Sequence, residues 1–397
     1  MRRLVHIIVL GVMAVITAGC DIFCNPTVEK RMALLYVAAT ETSLSPYASG
    51  NITDMLAGYV PEKGSQDQEL LVFFQDRNST SSTLRSEATL SRYYKNSAGT
   101  VMQEVIATYN EDFNACDPES FAQVLATAEA TCSPTHRALL FSSHGTGWLP
   151  VGYFDGPGER SGAKLQVARE SIGYDAKTKD EIDIVEFASV LGNYHWEALL
   201  MDCCYMGAVE VAYQLKNICD WIIASPTEIL IQGFPYTVIL DNLFNKPGRE
   251  GLEYISQKYY ELYQSQSGGM QSGTIALIDC RELDALSDIC ANIVAESREA
   301  MESVNRLGVQ HYFYNSRKDY FFDLAHYFEQ FASASRYAQL AEQLDKAVPY
   351  KNSTEEFLGL AIEHYSGLSS YIPNPSYPTL NAYYKSLEWN KKVKVIE

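Results

Sequence analysis

The sequence predicts an α/β fold with a mainly parallel sheet flanked by helices. Three observations predict it. Short, nearly continuous apolar runs recur, such as RMALLYVAAT (31–40) and ALLFSS (138–143), and these suit strands covered on both faces. Helical stretches separate the runs, which is the pattern of parallel strands joined by crossovers. Two runs end in polar, glycine-bearing turns, at His144-Gly145 and at Asp202-Cys203-Cys204, and sites in such sheets form beyond the carboxyl ends of the strands.

Composition narrows the class. A chain of 397 residues can hold one large domain or two intermediate ones. The apolar share of 47% is that of a globular protein. The formal net charge of −18 argues against nucleic acid as a partner, because nothing offsets phosphate repulsion. The basic tract KKVK (391–394) is too short to change that.

Residues 1–19 read as an export signal. Arg2 and Arg3 open it, and Leu4 to Ile16 form an apolar stretch too short for a comfortable membrane span. It closes on Thr17-Ala18-Gly19-Cys20, which resembles a bacterial lipobox. That resemblance implies cleavage before Cys20, lipidation of its thiol, and a place in the cell envelope, at the outer membrane or cell surface. Two or three acyl chains anchor stably where one does not. Residues 20–30 read as a linker.

Residues 31–40 are the first strand. A polar segment (41–54) and then a helix follow. LLVFFQD (70–76) is the second strand. Residues 78–100 are rich in Ser and Thr and hairpin-like, with ATLSRYY (88–94) and TVMQEVIATY (100–109) as edge strands. Asp117-Pro118 opens a helix through Cys132, with Asp as cap and Pro at the first helical position. ALLFSSHGTGW (138–148) carries a strand out to His144. The connection 149–182 is long, polar and aperiodic, a pattern that is usually functional or mobile. A helix at 183–192 leads to EALLMDCCYMG (197–207), a strand that turns at Gly207 into the helix AVEVAYQL. Further strands are expected at 219–225 and 272–279, with two helices over 235–265 and one long helix over 281–305. The aromatic-rich remainder reads as mostly helical to about 350, with a last helix at TLNAYYKSLEWNKKV (379–393). The domain reading is therefore a core over 31–280 and a C-terminal helical region, 281–397, packed on it.

The chain holds nine cysteines, at 20, 24, 116, 132, 203, 204, 219, 280 and 290. With Cys20 lipidated an even number remains, which in an exported protein invites a disulfide reading. Low density and irregular spacing weigh against it, and Cys116 with Cys132 is the one candidate bridge. No CxxC or CxxH pair suggests zinc.

The chemistry centres on two residues. A thiol at the mouth of a buried strand, just before a helix, is placed to be a nucleophile. Attack on a carbonyl also needs a proton donor for the leaving amine and N–H groups for the oxyanion. Cys204 and His144 fit the first two roles, and the N–H groups of Gly145 and Cys204 the third. The bland alternative is a small buried hydrophobe at Cys204 and a satisfied loop histidine at His144.

SSHGTGW (142–148) and MDCCYMGAVEVAYQL (201–215) resemble the two catalytic motifs of the clostripain family of cysteine peptidases. IASPTEILIQGFPY (223–236), SGTIALIDCREL (272–283), DLAHYF (323–328) and SGLSSYIP (366–373) extend the likeness over 30–395. The resemblance implies a caspase-like fold, with His144 as general acid/base, Cys204 as nucleophile and no organic cofactor. It gives Cys203 no role and makes Asp202 an acid lining the S1 pocket. The family's second S1 acid falls at Gln232, so P1 preference is expected to be basic or relaxed. Glu228 is a substitute acid if it points the right way. Arg160 and Lys164 are candidate self-cleavage sites in the 149–182 loop. Some relatives need calcium, but Asp175, Asp180, Glu181 and Asp183 form no EF-hand pattern, so calcium is unassigned and no metal site is predicted. The implied function is a lipid-anchored cysteine endopeptidase acting on peptides or proteins. The alternative is a weak or inactive relative that binds peptides or glycoproteins at the cell surface.

Overall fold

The structure, a computed structural model, describes residues 29–38, 44–75, 87–153, 172–173, 178, 180–313 and 320–397. The signal segment, Cys20, Asp175, Arg160 and Lys164 lie outside the described residues.

The strands are β1 (Arg31–Ala38), β2 (Gln68–Phe74), β3 (Ala88–Lys95), β4 (Val101–Tyr109), β5 (His136–Ser143), β6 (Trp196–Asp202), β7 (Cys219–Ala224), β8 (Thr274–Asp279), β9 (Phe322–Asp323) and β10 (Tyr350–Ser353). Among the described residues the main sheet has nine strands in the order β10-β8-β7-β6-β5-β1-β2-β3-β4. The run β7-β6-β5-β1-β2 is parallel throughout. β8 and β10 add antiparallel at one edge, and the β3–β4 hairpin at the other. The short β9 pairs with Ser369–Ser370 outside this sheet.

The apolar runs are continuous because both faces are covered. Along β1, Met32, Leu34 and Tyr36 enter one core, and Ala33, Leu35 and Val37 the other. β6 repeats the alternation with Leu199 and Met201 against Ala198 and Leu200. One face is covered by α1 (Ser45–Ala57). The opposite face takes α2 (Pro118–Cys132), α3 (Ile184–Leu191) and α4 (Val209–Leu215). α5 (Tyr236–Phe244) and α6 (Arg249–Gln264) join α1, while α7 (Leu283–Glu296) joins the second layer.

Helix starts follow local chemistry. The Asp117 carboxylate accepts from Ser120 N–H, with Pro118 in the first turn. Asp183 and Glu186 close a capping box on α3. Four stretches differ from the sequence reading, one of them the last helix, which splits into Pro378–Tyr384 and Glu388–Val393. α1 begins inside the segment expected to be polar, because Ala48, Ile52 and Met55 give a buried stripe too narrow to dominate its composition. The helix expected over 281–305 breaks at Ser297 into α7 and Arg298–Glu302. The C-terminal region adds β10 to the sheet beside its helices. Its residues YKNS are only half-buried, as suits an edge strand, so no apolar run announces it.

The C-terminal region is clamped to the turn after Cys204. Ser369 N–H donates to Gly207 O at 2.9 Å. Glu210, in the first turn of α4, is fully buried, and its Oε1 accepts from Tyr371 N–H at 2.9 Å and Tyr384 O–H at 2.7 Å. Burial pushes its carboxyl up to about 7 against those hydrogen bonds. Replacing Glu210 with Ala takes the acceptor from three buried donors, Tyr371 N–H, Tyr384 O–H and the Ser370 hydroxyl. Urea unfolding should show Glu210→Ala destabilised by about 3 kcal/mol, with Glu210→Gln losing less.

Candidate active site

Register brings the two predicted residues to the ends of neighbouring strands. β5 and β6 are parallel neighbours, with Ser142 opposite Asp202. His144 and Cys204 lie at equal offsets beyond that pair, so both leave the sheet at the same edge. Gly145 makes the approach close: a Cβ there would stand 2.7 Å from Cys204 O and 2.9 Å from Cys203 Cβ. The end of β6 fills the space that a side chain at this position would take.

The turn after Cys204 is strained and held. Tyr205 has φ 62°, a left-handed conformation that costs a bulky residue about 1–3 kcal/mol. Its N–H donates to Thr227 O at 2.8 Å and its O–H to Glu228 at 3.1 Å. Its ring stacks against both Phe321 (4.7 Å) and Phe313 (5.2 Å). Gly207 N–H donates to Ser225 O at 2.8 Å, tying the same turn to the segment after β7.

The thiol is partly buried beneath that segment. Ile229 N–H donates to Cys204 Sγ at 3.3 Å. Burial and then the Glu228 carboxylate push the thiol pKa up, and the Ile229 N–H opposes them. Burial also lowers His144 to about 4, so its imidazole is neutral at pH 7. Cys203 faces the core instead, donating from Sγ to Phe141 O at 3.4 Å.

Asp202 sits deeper. Its Oδ2 accepts from Tyr236 O–H at 2.6 Å and Ser142 O–H at 3.3 Å. Gly233, at φ 64°, lies so close that a Cβ would stand 2.8 Å from the carboxylate. The neighbouring Gln232 holds its Oε1 buried with no hydrogen-bond partner among the described residues. Glu228 faces Tyr205, and burial raises it to about 7. Sequence reasoning missed Tyr205, Phe313 and Phe321. A bulky residue in a left-handed turn carries no local signal, and the two rings arrive from the far end of the chain.

The group of His326, Glu329 and His364 is the one cluster of potential metal ligands among the described residues. His326 Nδ1 already accepts from Gln310 N–H at 3.0 Å, which places the proton of the neutral ring on Nε2. The two imidazoles stack at 3.6 Å and 21°, so their in-plane lone pairs run side by side and do not converge. Calcium also prefers an all-oxygen shell. Elsewhere Asp183 is spent as a cap, Asp180 accepts from Asn114 at 2.6 Å and Glu181 from Gly152 N–H at 3.0 Å.

Residues 35–391 match the model of the clostripain family, peptidase C11. A solved structure of an inactive zymogen C11 protease from Parabacteroides distasonis is 29% identical, with a TM-score of 0.77 over 93% of this chain and 99% of that one. A secreted C11 cysteine protease from Bacteroides thetaiotaomicron, in complex with an irreversible peptide inhibitor, is 26% identical, with a TM-score of 0.75 over 92% and 99%. No curated protein matches. With the sheet and its paired strand ends, these likenesses define a cysteine-type endopeptidase, a hydrolase of peptide bonds. The chain belongs to the clostripain family.

The Asp202 pocket predicts a pH dependence. Burial raises its carboxyl from 3.8 to about 6, so the folded state holds that proton more tightly than the unfolded chain. The stability this contributes is full below about pH 4 and is lost as pH rises through 6. Asp202→Asn should therefore be more stable than wild type by about 2 kcal/mol at pH 8, a gain that vanishes below pH 4 in urea titrations.

Proposed function

We propose that Cys204 and His144 are the catalytic dyad of this endopeptidase. The observation that carries the reading is their equal offset beyond the Ser142–Asp202 register pair, with Gly145 against the Cys203–Cys204 backbone. In the described arrangement both groups are neutral and Ile229 occupies the thiol. Substrate must displace Ile229. The Cys204 thiol then passes its proton to His144 as the sulfur attacks the scissile carbonyl. The N–H groups of Gly145 and Cys204 receive the oxyanion. His144 returns the proton to the leaving amine, and water, deprotonated by the same imidazole, releases the acyl group.

Asp202 and Gln232 line the S1 pocket in this reading. Both offer acceptors, and the unpaired Gln232 Oε1 supports a P1 side chain that donates, a basic one first. An amide in place of a second carboxylate weakens charge pairing by about 1–3 kcal/mol, which relaxes the preference. A lipid anchor at Cys20 places the enzyme in the bacterial cell envelope, at the outer membrane or cell surface. Arg160 and Lys164 are the proposed self-cleavage sites. The division into a core over 31–280 and a packed C-terminal region belongs to the same proposal. The alternative is a weak or inactive surface lipoprotein that binds peptides or glycoproteins, and the occupied thiol is the observation in its favour.

A panel of fluorogenic peptides varied at P1 tests the assignment. Wild type and Cys203→Ala should cleave, and Cys204→Ala should not. Gln232→Glu should raise kcat/KM for Arg at P1 by about 10-fold over a neutral P1. Cleavage retained by Cys204→Ala would overturn the dyad, and no cleavage by wild type at any P1 would favour the binding protein.

A further inference from the structure

We propose that Cys219 and Cys280 form a disulfide when the chain folds in an oxidising compartment. The two lie at opposite ends of a loop, 61 positions apart in sequence, with Sγ atoms 3.6 Å apart. Cys219 opens β7 and Cys280 directly follows β8, and these strands are antiparallel with Trp221 opposite Asp279. The ladder thus holds both backbones in place. Bringing the sulfurs to bonding distance takes about 1.5 Å of movement, within the reach of side-chain rotation. Both residues are buried, at 2% and 3% exposure. The pair that the sequence suggested does not meet: Cys116 and Cys132 flank and end α2, about 20 Å apart along its axis. Cys132 lies instead 3.5 Å from Met32 Sδ.

The exchange balances with a disulfide oxidant, such as oxidised glutathione or a dithiol oxidoreductase. One cysteine thiolate attacks the oxidant's disulfide and expels one thiolate. The second attacks the mixed disulfide and expels the other. The two cysteine protons end on the two expelled thiols, so the protein is oxidised by two electrons and the oxidant reduced by two. Burial of both sulfurs means that pairing occurs during folding, before β8 docks. The bond would close a loop containing the 225–236 segment, α5 and α6. It fastens the two strands that carry the cover of the Cys204 thiol without using that thiol.

The test uses the chain from residue 21 in a Cys204→Ala background, which removes the proposed nucleophile from exchange. The protein is refolded in a reduced and oxidised glutathione buffer, unfolded without reductant, alkylated and digested. Mass spectrometry should find a peptide linking Cys219 to Cys280, lighter than its parts by two hydrogens. Reductant should lower the melting temperature by about 5 °C, and a Cys219→Ala/Cys280→Ala variant should lose that dependence. Full alkylation of both residues after refolding overturns the proposal, and so does a link from either cysteine to a different partner. Neither outcome touches the dyad, which the peptide panel reads separately.

Discussion

The close approach of Gly145 to the backbone of Cys203 and Cys204 is the contact on which the site depends. Parallel pairing of β5 and β6 sets the register, but register alone leaves the two strand ends free to splay. The missing side chain lets them converge, and that convergence sets the end of β5, with His144, against the end of β6, with Cys204. The strained Tyr205 then turns the chain into α4. Its strain is offset by contacts to Thr227, Glu228, Phe313 and Phe321, so the turn is over-determined by distant parts of the molecule. The aromatic C-terminal region therefore braces the turn after Cys204, through its rings and through the Glu210 clamp.

Burial works against the chemistry in the described arrangement. A thiolate and an imidazolium both prefer water, and desolvation holds Cys204 and His144 neutral. Only their mutual attraction or a bound carbonyl can reverse that balance. The Ile229 N–H already donates to the sulfur. The same desolvation acts on Asp202, whose two hydrogen bonds offset part of the cost.

The parallel core was legible because buried strands need apolar residues on both faces, and β1, β5 and β6 have them. Helix starts at Asp117 and Asp183 were legible because caps are local. α1 and β10 were not. The first carries only a thin apolar stripe, and the second is a polar edge strand whose pairing with β8 is a long-range choice. At the site, His144, Cys204 and Asp202 stood out from their positions at strand ends. The orientation of Glu228 did not, because it depends on Tyr205's turn. The meeting of Cys219 with Cys280 was hidden for the same reason, since it follows from antiparallel pairing of β7 and β8.

Sequence alone determined which strands are buried, where they end, and which reactive groups stand at those ends, because periodicity, caps and turn residues act over a few positions. Tertiary structure decided what those groups touch. It chose the core for Cys203 and the Ile229 loop for Cys204, and it put Asp202 under Tyr236 and against Gly233. Those choices rest on contacts between segments far apart in the chain, and no local pattern encodes a contact whose other half lies on a different strand.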